Sequence, residues 1–147
     1  KTGYPGKPLA DLTLDGKAYL KIYNPDELAA FEWLRDAPDG VIAETVGIQY
    51  NPDTSRVSTH SGQPTVIGWV GHEWQWRGGA EEMGSRAGDI QILYQSNNWE
   101  EAESICARYN IRYIYIGPVE RSTYNINESK FSANLPVVFQ NSAVTIY

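Results

Sequence analysis

One cysteine, two histidines, no run of basic residues and no long apolar stretch: what this 147-residue chain lacks excludes several function classes at once. A lone Cys106 rules out an internal disulfide. It falls on the apolar face of an expected helix and reads as a small buried hydrophobe rather than a nucleophile. His60 and His72 leave little for a metal centre. His72-Glu73 is followed by Trp74, Gln75, Trp76 and Arg77, so the second histidine of an H-E-x-x-H helix is missing. A site gathered from His60, His72, Glu44 and Glu73 would need long-range coincidence, and no metal is expected. Walker loops, G-x-S-x-G elbows and dinucleotide fingerprints do not occur. "GGAEEMG" at 78–84 follows a loop rather than a strand, so its glycines are weak evidence for phosphate binding, and no cofactor is expected. A net charge of -6 without clustered Lys or Arg excludes a phosphate-backbone partner, so no nucleic acid is expected. The chain begins Lys-Thr-Gly and reads as a fragment of something longer. The lack of a roughly 20-residue apolar run or a signal-peptide pattern therefore says nothing of its parent.

What is present suits one domain over residues 1–147 with a single sizeable core. Residues 1–23, rich in Gly and Pro and without either period, read as an extended N-terminal arm. A helix follows: Asn24 stands at the N-cap, Pro25 at the first helical position, Asp26 and Glu27 at the positive dipole end, and Leu28, Phe31 and Leu34 at helical spacing. "VIAE" at 41–44 and "TVIG" at 65–68 are short apolar runs that fit buried strands, joined by a polar connection. Residues 80–95 form a further expected helix. Asn98 caps another, "WEEAESICARYN", with Trp99, Ala102, Ile105, Cys106 and Tyr109 on one face. "IRYIYIGP" reads as a strand, 119–134 as short helical turns, and "LPVVFQNSAVTIY" as a hairpin. The alternation predicts an α/β fold, a three-layer Rossmann-like sandwich with a mostly parallel sheet and a C-terminal antiparallel hairpin. Loops at the carboxyl ends of such strands converge on ligands. Glu44, the segment Trp69 to Arg77, Glu120 and Arg121 all leave strands at that end.

The most unusual stretch is "GWVGHEWQWRG" at 68–78, holding three of the five tryptophans. Trp69, Trp74 and Trp76 offer indole faces to a sugar ring or cation, while His72, Glu73, Gln75 and Arg77 can bond hydroxyls or phosphate. The structural alternative is a two-residue alternation that buries Trp74 and Trp76 and turns Gln75 and Arg77 outward. Taken singly, each tryptophan is expected to be buried. Glu44, Glu73 and Glu120 could meet as the acid pair of a glycoside hydrolase. Acids at loop mouths commonly pair with arginine, however, and Arg56, Arg77 and Arg121 are at hand, so an ion-pair network is the stronger reading. "NES" at 127–129 fits a glycosylation sequon.

Several ordered segments carry a resemblance: "LDGKAYL" near 14–20, "EWL" at 32–34, "VIAETVG" at 41–47, "RVSTHSGQPTVIGWVGHEWQWRG" at 56–78, "IRYIYIGPVER" at 111–121 and "LPVVFQNSAVTIY" at the end. Together they resemble the C-terminal soluble portion of the "YYY" family of multi-pass membrane proteins, which look related to GT-C glycosyltransferases. The Ala37-Pro38-Asp39 turn departs from that pattern in loop length only. The resemblance implies an extracytoplasmic domain whose partner is the transmembrane portion of the same parent chain, recognising a glycan, lipid-linked sugar or acceptor. It implies no catalytic residue within this chain. Binding is expected from Trp69, His72, Glu73, Trp74, Gln75, Trp76 and Arg77, with Glu44, Arg56, Glu120 and Arg121 at the rim. The alternatives are a hydrolase using Glu73 and Glu44 and a purely structural domain.

Overall fold

The computed structural model describes residues 15–81 and 83–147. Most of the expected N-terminal arm, residues 1–14, lies outside the described residues, and its last part is not extended. Helix α1, Gly16–Tyr23, starts where the Asp15 carboxylate accepts from Lys17 N at 2.9 Å. The composition of the preceding residues hid that cap. Helix α2, Pro25–Asp36, opens on Pro25 as expected and buries Ala30, Phe31 and Leu34. Asn24 occupies the N-cap position without a side-chain capping bond.

Strand β1, Val41–Ala43, runs parallel to β2, Ile111–Ile116. The closing hairpin pairs β3, Phe139–Gln140, with β4, Thr145–Ile146, and β4 runs antiparallel to β2. The order is β1-β2-β4-β3. The fold is mixed α/β, but the sheet is small and among the described residues only one strand pair is parallel, so the mostly parallel Rossmann-like sandwich is corrected. The expected strand at 65–68 supplies one parallel bridge, Ile42 to Thr65. Pro64 has no N–H to donate, and the chain turns at Gly68 toward a helix, so the ladder stops after that rung.

The remaining helices are α3, Arg56–Ser61; α4, Val70–Arg77; α5, Arg86–Gln95; α6, Trp99–Tyr109; α7, Pro118–Thr123; and α8, Glu128–Asn134. Asn98 caps α6 as its sequence predicts, accepting from Glu100 N. Strand β2 alternates between two cores. Tyr113 and Tyr115 pack with Phe31, Leu34 and Val57 from α2 and α3. Ile114 and Ile116 pack with Ile90, Leu93, Tyr94, Ala102 and Ile105 from α5 and α6. The carboxyl ends of β1 and β2 therefore lie side by side, and the segments leaving them, at Glu44 and Gly117, meet α3 between them.

Candidate functional site

The stretch at 68–78 is neither loop nor strand. Trp69 stands at the N-cap of α4, and Gly78 closes the helix in the left-handed conformation at φ 74°. With 3.6 residues per turn, Trp69, His72, Glu73, Trp76 and Arg77 share one face, while Trp74 and Gln75 point away. No residue of α4 is buried. Trp74 is 56% exposed and Trp76 85%, which overturns the expected burial of both. A period of two hides side chains only in a strand, and here the period is helical.

The shared face forms one wall of a groove of about 500 Å³, completed by Ser55, Thr59 and Gly68. Along that wall the ring centres of Trp69 and His72 are 5.2 Å apart. Those of His72 and Trp76 are 6.5 Å apart with planes within 21°. The half-buried Trp69 indole is held by its Nε1, 3.0 Å from Thr54 Oγ1 and 3.1 Å from Thr54 O. Tyr50 packs edge-on against His72 at 5.2 Å. Beside the rings, Glu73 and Arg77 form an ion pair one helical turn apart. The bond from Arg77 holds the Glu73 carboxyl below its ordinary range, so it is an anion near neutrality rather than a proton donor.

The four residues expected at the rim lie elsewhere. Arg56 is a buried fork. Its Nη2 donates to Glu27 Oε1 at 2.6 Å and to Glu120 Oε2 at 3.0 Å, and its Nη1 reaches Glu120 Oε1 at 3.1 Å. Glu120 is 0% exposed and also accepts from Thr45 N, Thr45 Oγ1 and Gly117 N. Burial alone would raise the Glu120 carboxyl, but the Arg56 charge and these donors outweigh it and hold it low. Glu44, 1% exposed, accepts from Val57 N at 2.8 Å and Ser58 N at 3.1 Å, so it seats the start of α3. Burial drives the Glu44 carboxyl upward against those bonds. Arg121 lies apart, paired with Glu128 at 2.7 Å. The ion-pair reading therefore describes Glu120, which pairs with Arg56, and Glu73, which pairs with Arg77, but not Glu44, whose partners are backbone N–H groups. Glu44 and Glu73 are not brought together as a hydrolytic pair.

Loop residues that sequence reasoning passed over complete the site. Tyr50 and Ser55 hold left-handed backbone at φ 67° and 56°, uncommon outside glycine and costly for a bulky ring. The Ser55 hydroxyl is buried without a hydrogen-bond partner among the described residues. No composition signal marks either. His60 lies against Phe31 at 5.3 Å, its basicity lowered first by burial, and takes no part in the groove. Burial pushes the Cys106 thiol up to about 11. In the sequon, Asn127 donates to Asn97 and Ser129 to Asn127. Among the described residues no acid, histidine and cysteine cluster could hold a metal, and no helix is long and apolar enough to cross a membrane. No protein-family model matches the chain, and no curated protein or solved structure matches it.

Proposed function

We propose that this chain is a recognition domain that holds a glycan, in free or lipid-linked form, in the α4 groove on the extracytoplasmic side of a glycosyltransferase-like membrane protein. The observation that carries this reading is the co-facial set Trp69, His72 and Trp76 along an accessible groove, flanked by the Glu73–Arg77 pair. Aromatic faces pack against the C–H faces of pyranose rings, and a carboxylate with a guanidinium beside them supplies acceptors and donors for hydroxyls. An 85% exposed tryptophan costs solubility without stabilising the core, which argues for a surface role. The resemblance to the soluble part of the "YYY" proteins supports the membrane setting and a partner in the transmembrane portion of the same parent chain.

The test is a titration of the chain with soluble saccharides, following tryptophan emission and heat. Saturable binding that Trp69→Ala and Trp76→Ala each weaken, while circular dichroism stays unchanged, is the expected result. Emission unmoved by every saccharide would mark the domain as purely structural. Release of product from glycosides, abolished by Glu73→Gln, would instead identify a hydrolase.

A further inference from the structure

The groove has a direction, and that direction says what kind of glycan fits. Trp69, His72 and Trp76 stand at positions i, i+3 and i+7 of one helical face, so the set climbs about 10 Å along the α4 axis. Its ring-to-ring steps, 5.2 Å and 6.5 Å, are each about the length of one six-membered sugar in an extended chain; His72 and Trp76 lie within 21° of parallel, and Trp69 is tilted 59° from His72, so a chain following the set turns at its Trp69 end. Glu73 and Arg77 lie about one turn apart on the same face, about 6 Å along the axis. A site for one monosaccharide concentrates its polar contacts around a single platform. Here the aromatic platforms recur along the axis, and the Glu73–Arg77 pair lies beside them.

Charge narrows the class further. Glu73 and Arg77 balance each other within the groove. The protein as a whole carries -6, which repels a polyanionic chain. The volume of about 500 Å³ is more than a single pyranose fills, and it sits within the usual size of small-ligand clefts. The exposed Tyr50 ring packs against His72 and Trp69, with ring centres 5.2 Å and 6.1 Å away. Its left-handed backbone is a strained conformation retained at the edge of the site.

We infer that the α4 groove binds an extended, uncharged oligosaccharide of at least three pyranose units, stacked in succession on Trp69, His72 and Trp76. This rests on the groove being a glycan site and adds the length and charge of the ligand. Trp76 then forms the terminal subsite and His72 the central one.

The experiment is calorimetric titration of the chain with cello-, malto- and chito-oligosaccharides of one to six units, with an oligogalacturonate series as the anionic arm. For the preferred neutral series, affinity should rise roughly three- to tenfold with each unit up to three and then level off. The anionic series should bind more weakly at low salt. Trp76→Ala should weaken the trimer more than the disaccharide and so reduce the gain from the third unit. Monosaccharides binding as tightly as trimers, Trp76→Ala weakening all lengths equally, or the anionic series binding best would overturn this inference while leaving the glycan reading intact. Failure of every saccharide to bind the native chain would overturn both.

Discussion

Removing the guanidinium from the buried hub should be far more damaging than removing any groove residue. In Arg56→Ala, Glu27 and Glu120 keep their places in the interior, 5% and 0% exposed, without the cation that satisfies both. Breaking a buried ion pair by deleting one partner costs about 3–5 kcal/mol, because the remaining charge is left unsolvated. Against a total stability of about 5–15 kcal/mol, that is a large fraction. For a chain of this size the melting temperature should fall by about 10–15 °C. Urea denaturation should show a lower midpoint with an unchanged slope. Arg56→Lys should fall between, since an ammonium keeps the charge but cannot fork onto two carboxylates. Replacing all three partners, as Arg56→Met with Glu27→Gln and Glu120→Gln, should recover more than half of the loss, because no buried charge remains.

The pH dependence provides a second check. Glu120 is held below its unfolded value of about 4.3, so its contribution is complete above that pH and lost as pH falls through the depressed folded value. In Arg56→Ala the Glu120 carboxylate loses the charge that holds it low, so it protonates more readily, and protonation relieves it. The gap between native and variant stability should therefore be widest near neutrality and shrink as pH falls toward and through about 4.3. A loss under about 1 kcal/mol at pH 7, or a gap constant from neutral to acid pH, would refute the account of the hub.

Three further outcomes follow from particular residues. Ser55→Gly should stabilise the fold by about 1 kcal/mol in thermal melts, since glycine accepts the left-handed backbone and the unpartnered hydroxyl is removed; a lower melting temperature would contradict this. Carbon-detected NMR titration should show Glu44 protonating above the ordinary carboxylate range and Glu120 below it. Because Glu44 is raised on folding, its ionisation costs stability, and that cost should disappear as pH falls from its folded value toward about 4.3; the reverse order of the two titrations would sink the assignment. Thr54→Val should lower stability by about 1 kcal/mol and shift Trp69 emission, because the indole Nε1 loses its hydroxyl partner; unchanged emission would count against Thr54 as the anchor.

Local signals were legible where the residues that make an element also terminate it. Pro25 and the acids after it announce α2, Asn98 announces α6, and Gly117-Pro118 ends β2. Elements anchored from a distance were not. Helix α3 has six residues, and its first N–H groups are satisfied by Glu44, which precedes it by a whole loop. Helix α4 was obscured by its own bulk, since Trp74 and Trp76 two residues apart suggest a strand and the flanking glycines suggest a loop. The 3-then-4 spacing of Trp69, His72 and Trp76, reinforced by Glu73 and Arg77 at i,i+4, was the readable helical signal. Of the residues expected beyond the strand ends, Glu44 and Glu120 both bond α3 while Arg121 pairs elsewhere, and Arg56, expected at a rim, is drawn inward by the two carboxylates of Glu27 and Glu120.

That interior position links the hub to the groove through one short path. Arg56 Nη1 donates to Asp53 O at 3.2 Å, and the next residue, Thr54, anchors the Trp69 indole. The same loop is pinned where Gly47 meets Thr54, since a Cβ at Gly47 would come within 2.3 Å of Thr54 Cγ2. Gln49 lies so close over Gly71 that a Cβ there would come within 2.4 Å of its Oε1. With no buried residue of its own, α4 takes its position from these contacts rather than from a core face. A disturbed hub should therefore reach the groove before the fold fails. At temperatures where Arg56→Ala is still folded, its Trp69 emission should already differ from that of the native chain, and saccharide affinity should fall with it. Native-like emission and affinity in that folded variant would show that the groove is held independently of the buried charges.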